Sequence, residues 1–114
     1  RLSRQIPMKQ AMGMILTGRR VMAAEGYELG FVTEVVPEGG ALEGARRWAE
    51  LISECSPVSI RTSKDVVLRG QQYASADEAI AANYQSVEDM RNSLDFIEGP
   101  LAFSEKRPPD WKGR

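Results

Sequence analysis

Histidine is absent from the 114 residues, and cysteine occurs once, at Cys55. The first absence removes every mechanism built on an imidazole base. Together they remove ordinary zinc sites and any internal disulfide framework, so no metal is expected. A reducing, cytoplasmic setting is the natural expectation. No apolar run approaches the ~20 residues that a membrane helix needs, so no membrane partner is expected either. Charge of one sign is also lacking: 15 Lys and Arg against 16 Asp and Glu leave a net charge of −1. No overall field would therefore draw in a polyanion, which argues against nucleic-acid binding. The opening RLSRQIP is patterned as neither a signal nor a transit peptide, and it lacks an initiating methionine, as a piece cut from a longer chain would.

What is present is a 42% hydrophobic chain of one-domain size, enough for a modest core. Met8, Met12, Ile15 and Leu16 recur at helical spacing, and Thr17-Gly18 supplies a stop. Arg19 to Val21 is short and extended, and AAEGYELG predicts two helical turns closed by Gly30. The β-branched run from Phe31 to Val36, ended by Pro37, predicts a strand. A lone strand cannot satisfy its backbone groups, and nothing apart from Arg19 to Val21 offers a partner, so a sheet is expected elsewhere.

Beyond Gly39-Gly40 the pattern is helical throughout. Leu42, Ala45, Trp48, Ala49, Ile52 and Cys55 form one apolar stripe, and Ser56-Pro57 breaks that helix and opens another that runs to Gly70. Ser75 to Glu78 offer capping side chains before a stripe from Ala79 to Leu94, which predicts a single helix about four turns long. Asp95 is placed to cap a last helix carrying Phe96, Gly99, Phe103 and Lys106, with Pro108-Pro109 as its stop. Helix, turn, strand and four helices make neither an up-down bundle nor a complete α/β domain.

Candidate chemistry is sparse. Most carboxylates alternate with Lys or Arg on helix surfaces, the pattern of solvated pairs. Glu98 falls in the expected first turn of the last helix, where capping is favoured over catalysis. Cys55 follows an apolar stripe and reads as a buried structural thiol. LTGRR reads as a structural turn, because its spacing matches no phosphate loop, and Tyr73 and Tyr84 read as packing residues. Phe103 and Lys106, three residues apart, project from one helix face. An aromatic ring can cover a planar group while an ammonium one turn on meets a phosphate, yet a buried Phe beside a snorkelling Lys fits the same spacing.

Three stretches, LTGRRVMAAEGYELGFVTEVVP, CSPVSIRTSK and DFIEGPLAFSEKRPPDWKGR, together resemble the C-terminal part of the crotonase superfamily, the enoyl-CoA hydratases and isomerases. The resemblance implies a mostly α chain. Residues 1–38 would be the tail of the family's α/β spiral core, contributing one short strand, and residues 39–114 the C-terminal helical trimerisation region. It implies a homo-oligomer, a trimer or hexamer, acting on an acyl-CoA thioester with no separate cofactor. Phe103 and Lys106 match the family residues that reach the CoA of a neighbouring subunit, and the Trp111 tail is expected to dock near that helix. The family's catalytic carboxylates and oxyanion hole lie upstream, so no catalytic residue is assigned. Met22 stands where family members commonly carry a small hydroxyl cap, which weakens that cap. The implied parent activity is hydration of an α,β-unsaturated acyl-CoA or its reverse. The tail also resembles the carnitinyl-CoA dehydratase branch, and enoyl-CoA isomerisation is the other enzymatic alternative. A non-catalytic helical oligomerisation module, exchanging Phe31 to Val36 between chains, is the rival from another class.

Overall fold

The computed structural model describes residues 1–114 as seven α-helices after a short 3-10 turn at Leu2–Arg4, with no β-strand. Two compact units divide it, Arg1–Arg47 and Trp48–Arg114.

In the first unit, α1 (Met8–Thr17) starts after Pro7 and ends at Gly18, whose φ of 62° is the left-handed conformation that glycine adopts without a Cβ penalty. Its apolar residues Met8, Met12, Ile15 and Leu16 are exposed, and only Ala11 is buried. Helix α2 (Ala23–Glu28) begins at Met22, which makes no side-chain cap.

The strand expected at Phe31 to Val36 does not form. The N–H groups of Phe31 and Val32 both donate to the Gly26 carbonyl at 3.1 Å, so the segment folds back on α2 rather than offering a ladder edge. A Cβ on Gly26 would lie 2.7 Å from Val32 Cγ2, so only glycine permits this approach. Further along, Arg47 donates to Glu34 at 2.6 Å and Val36 packs against the Gly44 backbone. β-branched composition favours a pleated surface, but without a partner strand these local bonds prevail.

Helix α3 runs from Ala41 to Ser53. Its predicted apolar stripe is only loosely covered: Leu42, Trp48 and Ile52 are exposed, and so is Cys55, which corrects the expected buried thiol.

In the second unit, α4 (Pro57–Gly70) has the predicted bounds, because its start is fixed locally. Pro57 sits in the first turn, and the Ser56 hydroxyl accepts from Ser59 N–H at 3.2 Å. Ser75 caps α5 (Ala76–Ala81): Glu78 N–H donates to Ser75 Oγ, and the Glu78 carboxylate reaches back to accept from the N–H of Ala74, one residue before the cap, both at 3.2 Å.

The expected four-turn helix then breaks into α5 and α6 (Gln85–Arg91). The chain between them is extended at Ala82 and Tyr84, which lets Tyr84 bury its ring and donate its hydroxyl to the Ala79 carbonyl at 2.9 Å. Tyr73 meets that ring edge-on at 6.5 Å, and the Arg69 guanidinium lies 5.8 Å from its centre. Helix α6 packs on α4, where Thr62 Oγ1 donates to the Ser86 carbonyl at 3.0 Å and Ser86 Oγ to Asp65 at 2.7 Å.

Helix α7 (Leu94–Glu105) is capped by Ser93, not by Asp95 as expected. The fully screened core of the chain is small: Ile6, Ala11, Val58, Tyr84 and Ala102 are its buried hydrophobic residues, and no large side chain is completely enclosed.

Candidate functional site

The predicted pair sits at the C-terminal end of α7, where the backbone does something unusual. Lys106 has φ 54° and ψ 39°, the left-handed conformation, and is the chain's only non-glycine residue with positive φ. Its N–H donates to the Phe103 carbonyl at 3.3 Å, and the Arg107 N–H reaches back to the Ala102 carbonyl at 3.1 Å. This paired 5→2 and 6→1 closure is the Schellman turn, in which glycine is the usual occupant of the left-handed position. Lys106 therefore lies just outside the helix, and the expected i, i+3 alignment with Phe103 on one helix face is replaced by a turn. A helix C-terminus carries partial negative charge, which favours a cation there.

The two side chains are presented outward. Phe103 is 87% exposed in this chain, unlike the buried Phe of the alternative reading, and Lys106 is exposed as well. Other cations close by in sequence are neutralised within the chain, Arg107 by Glu98 and Glu105 and Lys112 by Asp110. Lys106 makes no such pair. An exposed aromatic ring and an unpaired ammonium at a fixed turn can cover a planar ring system and meet an anionic oxygen.

Beyond that turn the chain has no regular structure, yet it is tied down by two carboxylates of α7. Glu98, in the second turn rather than the first, accepts from the Arg107 guanidinium at 2.6 and 3.0 Å and from Asp110 N–H at 2.6 Å. The forked Arg107 bond first, and then the Asp110 N–H, hold its carboxyl pKa down at about 2. A group ionised that firmly, with both oxygens engaged, is poorly suited to exchange protons near neutral pH. The Arg107 pKa is raised in turn, by Glu98 and then Glu105.

Asp95 is 4% exposed and accepts from Ser56 Oγ (2.7 Å), Lys112 N–H (2.7 Å) and Gly113 N–H (3.1 and 3.2 Å). Burial is the largest influence on its carboxyl and opposes the charge, but the Ser56 hydroxyl and the N–H groups of Lys112, Gly113 and Val58 together hold its pKa below the usual value.

Three more contacts complete the docking of the tail. Trp111 Nε1 donates to the Glu54 carbonyl at 2.8 Å, Arg61 donates to the Gly113 carbonyl at 2.9 Å, and Leu94 N–H donates to the Arg114 carbonyl at 2.8 Å. The Trp111 ring lies against Gly99, where a Cβ would stand 3.4 Å from it. The sequence reading expected the Trp111 tail to dock but missed Asp95 as the anchor of Lys112 and Gly113, and missed Arg107. In sequence Asp95 reads as the cap of the helix, a place that aspartate favours. A separate cleft of about 500 Å³ lies among α4, α5 and α6, lined by residues including Val66, Ile80, Tyr84 and Arg91, and neither Phe103 nor Lys106 reaches it.

Comparison with known proteins identifies the family. The family model described as enoyl-CoA hydratase/isomerase matches residues 1–114. Carnitinyl-CoA dehydratase of Escherichia coli (strain SMS-3-5 / SECEC) is 35% identical over 120 aligned residues, which cover 100% of this chain and 45% of that protein. Enoyl-CoA hydratase EchA19 of Mycobacterium tuberculosis is 38% identical, over 100% of this chain and 42% of its own length. Among solved structures, an enoyl-CoA hydratase from Mycobacterium tuberculosis H37Rv superposes with a TM-score of 0.92 at 32% identity, over 100% of this chain and 45% of that one. The chain thus spans less than half the length of the relatives it matches, and an all-helical stretch of that extent fits the C-terminal helical part of the crotonase fold. This chain belongs to the enoyl-CoA hydratase/isomerase family.

Proposed function

We propose that the chain is the C-terminal portion of an acyl-CoA lyase that hydrates an α,β-unsaturated acyl-CoA thioester or runs the reverse dehydration. Residues 1–38 would complete the α/β core and residues 39–114 would form the helical region that joins subunits into a trimer or hexamer. The observation that carries this reading is the match of the enoyl-CoA hydratase/isomerase family over residues 1–114. The names of its relatives, an enoyl-CoA hydratase and a carnitinyl-CoA dehydratase, support hydration and dehydration as the chemistry.

Two physical features support the division of labour. In each unit large apolar side chains are left exposed, Leu16 and Leu42 in the first and Ile52 and Ile97 in the second, and these suit burial against further protein. At the end of α7, the exposed Phe103 ring and the unpaired Lys106 ammonium suit the adenine ring and the phosphates of CoA bound to a neighbouring subunit. The catalytic carboxylates and the oxyanion donors would come from the rest of the enzyme, where they would handle the water proton and the enolate charge.

The test is hydration of crotonyl-CoA, followed as loss of the conjugated thioester's absorbance, by the full-length protein that contains this sequence and by the 114-residue chain alone. Turnover by the first and none by the second is expected. Turnover by the chain alone would place a catalytic group among these residues and overturn the division.

A further inference from the structure

Arg107, directly after Lys106, is held from two directions. Its N–H closes the turn on the Ala102 carbonyl at 3.1 Å. Its guanidinium is forked onto Glu98, nine residues earlier, at 2.6 and 3.0 Å, and also donates to Glu105 (2.6 Å) and the Pro108 carbonyl (3.1 Å). The Glu98 side chain is only 15% exposed and takes the Asp110 N–H as well, so it grips the chain on both sides of Pro108-Pro109. Between these fixed points lies Lys106, in a conformation that L-residues avoid and that persists only where the surroundings impose it.

We propose that Glu98, acting through Arg107, is a positioning residue for Lys106: the fork locks the left-handed turn and thereby fixes where the unpaired ammonium is presented beside Phe103. This rests on the reading that Lys106 meets the phosphates of CoA. Without the fork, residues 106 and 107 relax toward commoner backbone conformations, and the ammonium must be re-ordered each time the ligand binds. Affinity falls while the chemical step, which Glu98 does not touch, keeps its rate. The effect belongs in Kd and KM, with kcat unchanged.

The experiment is a double-mutant cycle on the full-length, assembled protein containing this sequence, with CoA itself as the titrated ligand in calorimetry. Lys106→Ala is expected to weaken CoA binding about tenfold, the scale of one charge-assisted contact. Glu98→Gln alone should weaken it about fivefold, and the double variant should be no weaker than Lys106→Ala within about twofold, because both changes remove the same contact. Trp111→Phe removes the Trp111 anchor of the tail without touching the turn and should stay within about twofold of the unaltered protein.

Lys106→Ala without effect would sink the CoA contact itself and the positioning role with it. A weakened Lys106→Ala beside an unchanged Glu98→Gln, or additive losses in the double variant, would leave the contact standing and overturn the positioning role. Equal losses in Trp111→Phe and Glu98→Gln would also overturn it, by reducing it to general loosening of the tail. If Glu98→Gln fails to assemble, Arg107→Lys, which keeps the charge and loses the fork, is read by the same criteria.

Discussion

Helix α1 (Met8–Thr17) and the tail Arg107–Arg114 are opposites. The first is regular along its length and buries one side chain, Ala11; the second has no regular structure, yet its backbone and side chains are engaged by Asp95, Glu98, Glu54 and Leu94. Regularity in α1 comes from its own i to i−4 bonds, and its apolar face is left for another surface to cover. Order in the tail comes from side-chain carboxylates that satisfy backbone N–H groups where no helix or sheet does so. Secondary structure and local anchoring are thus separate quantities in this chain, and the proposed ligand-facing turn lies on the anchored side.

The comparison can be broken most forcefully at Asp95. Asp95→Ala strands the N–H groups of Lys112 and Gly113 and should lower the melting temperature by roughly 10 °C, with hydrogen exchange at those two amides rising most. Glu98→Gln should cost less and show its signature in acid. The folded-state pKa of Glu98 is depressed from 4.5 to about 2, so its contribution is fully present above the unfolded value and is lost as pH falls through that window. Asp95 is shifted in the same direction. A melting-temperature profile against pH should therefore fall across the window and flatten in Glu98→Gln; parallel profiles would remove Glu98 from the account. Ser56→Ala, which deletes the α4 cap and one Asp95 partner, should cost about 1 kcal/mol in a denaturant titration. Leu16→Ser on the open face of α1 should change the stability of the 114-residue chain by less than about 0.5 kcal/mol in the same titration.

Sequence legibility follows the same division. The bounds of α4 at Pro57 and Gly70, the stop of α1 at Gly18 and the capping side chains at Ser75 could be read because their causes lie within four residues. The break at Ala82 to Tyr84 was hidden, because periodicity continues through it and burial of Tyr84 decides the matter. Phe31 to Val36 carries strand composition, but its first two N–H groups are taken by the Gly26 carbonyl. At the candidate site, spacing singled out Phe103 and Lys106, whereas the left-handed turn between helix and tail had no glycine to announce it. Asp95 was illegible for a plainer reason: its partners Ser56 and Lys112 stand 39 and 17 residues away.

The central claim, that the anchored end of α7 serves a CoA ligand, is tested most directly by the dissociation constant of CoA for the full-length protein and its Lys106→Ala variant under one set of salt and pH conditions. An increase of about tenfold on substitution is predicted. An unchanged constant would contradict the account.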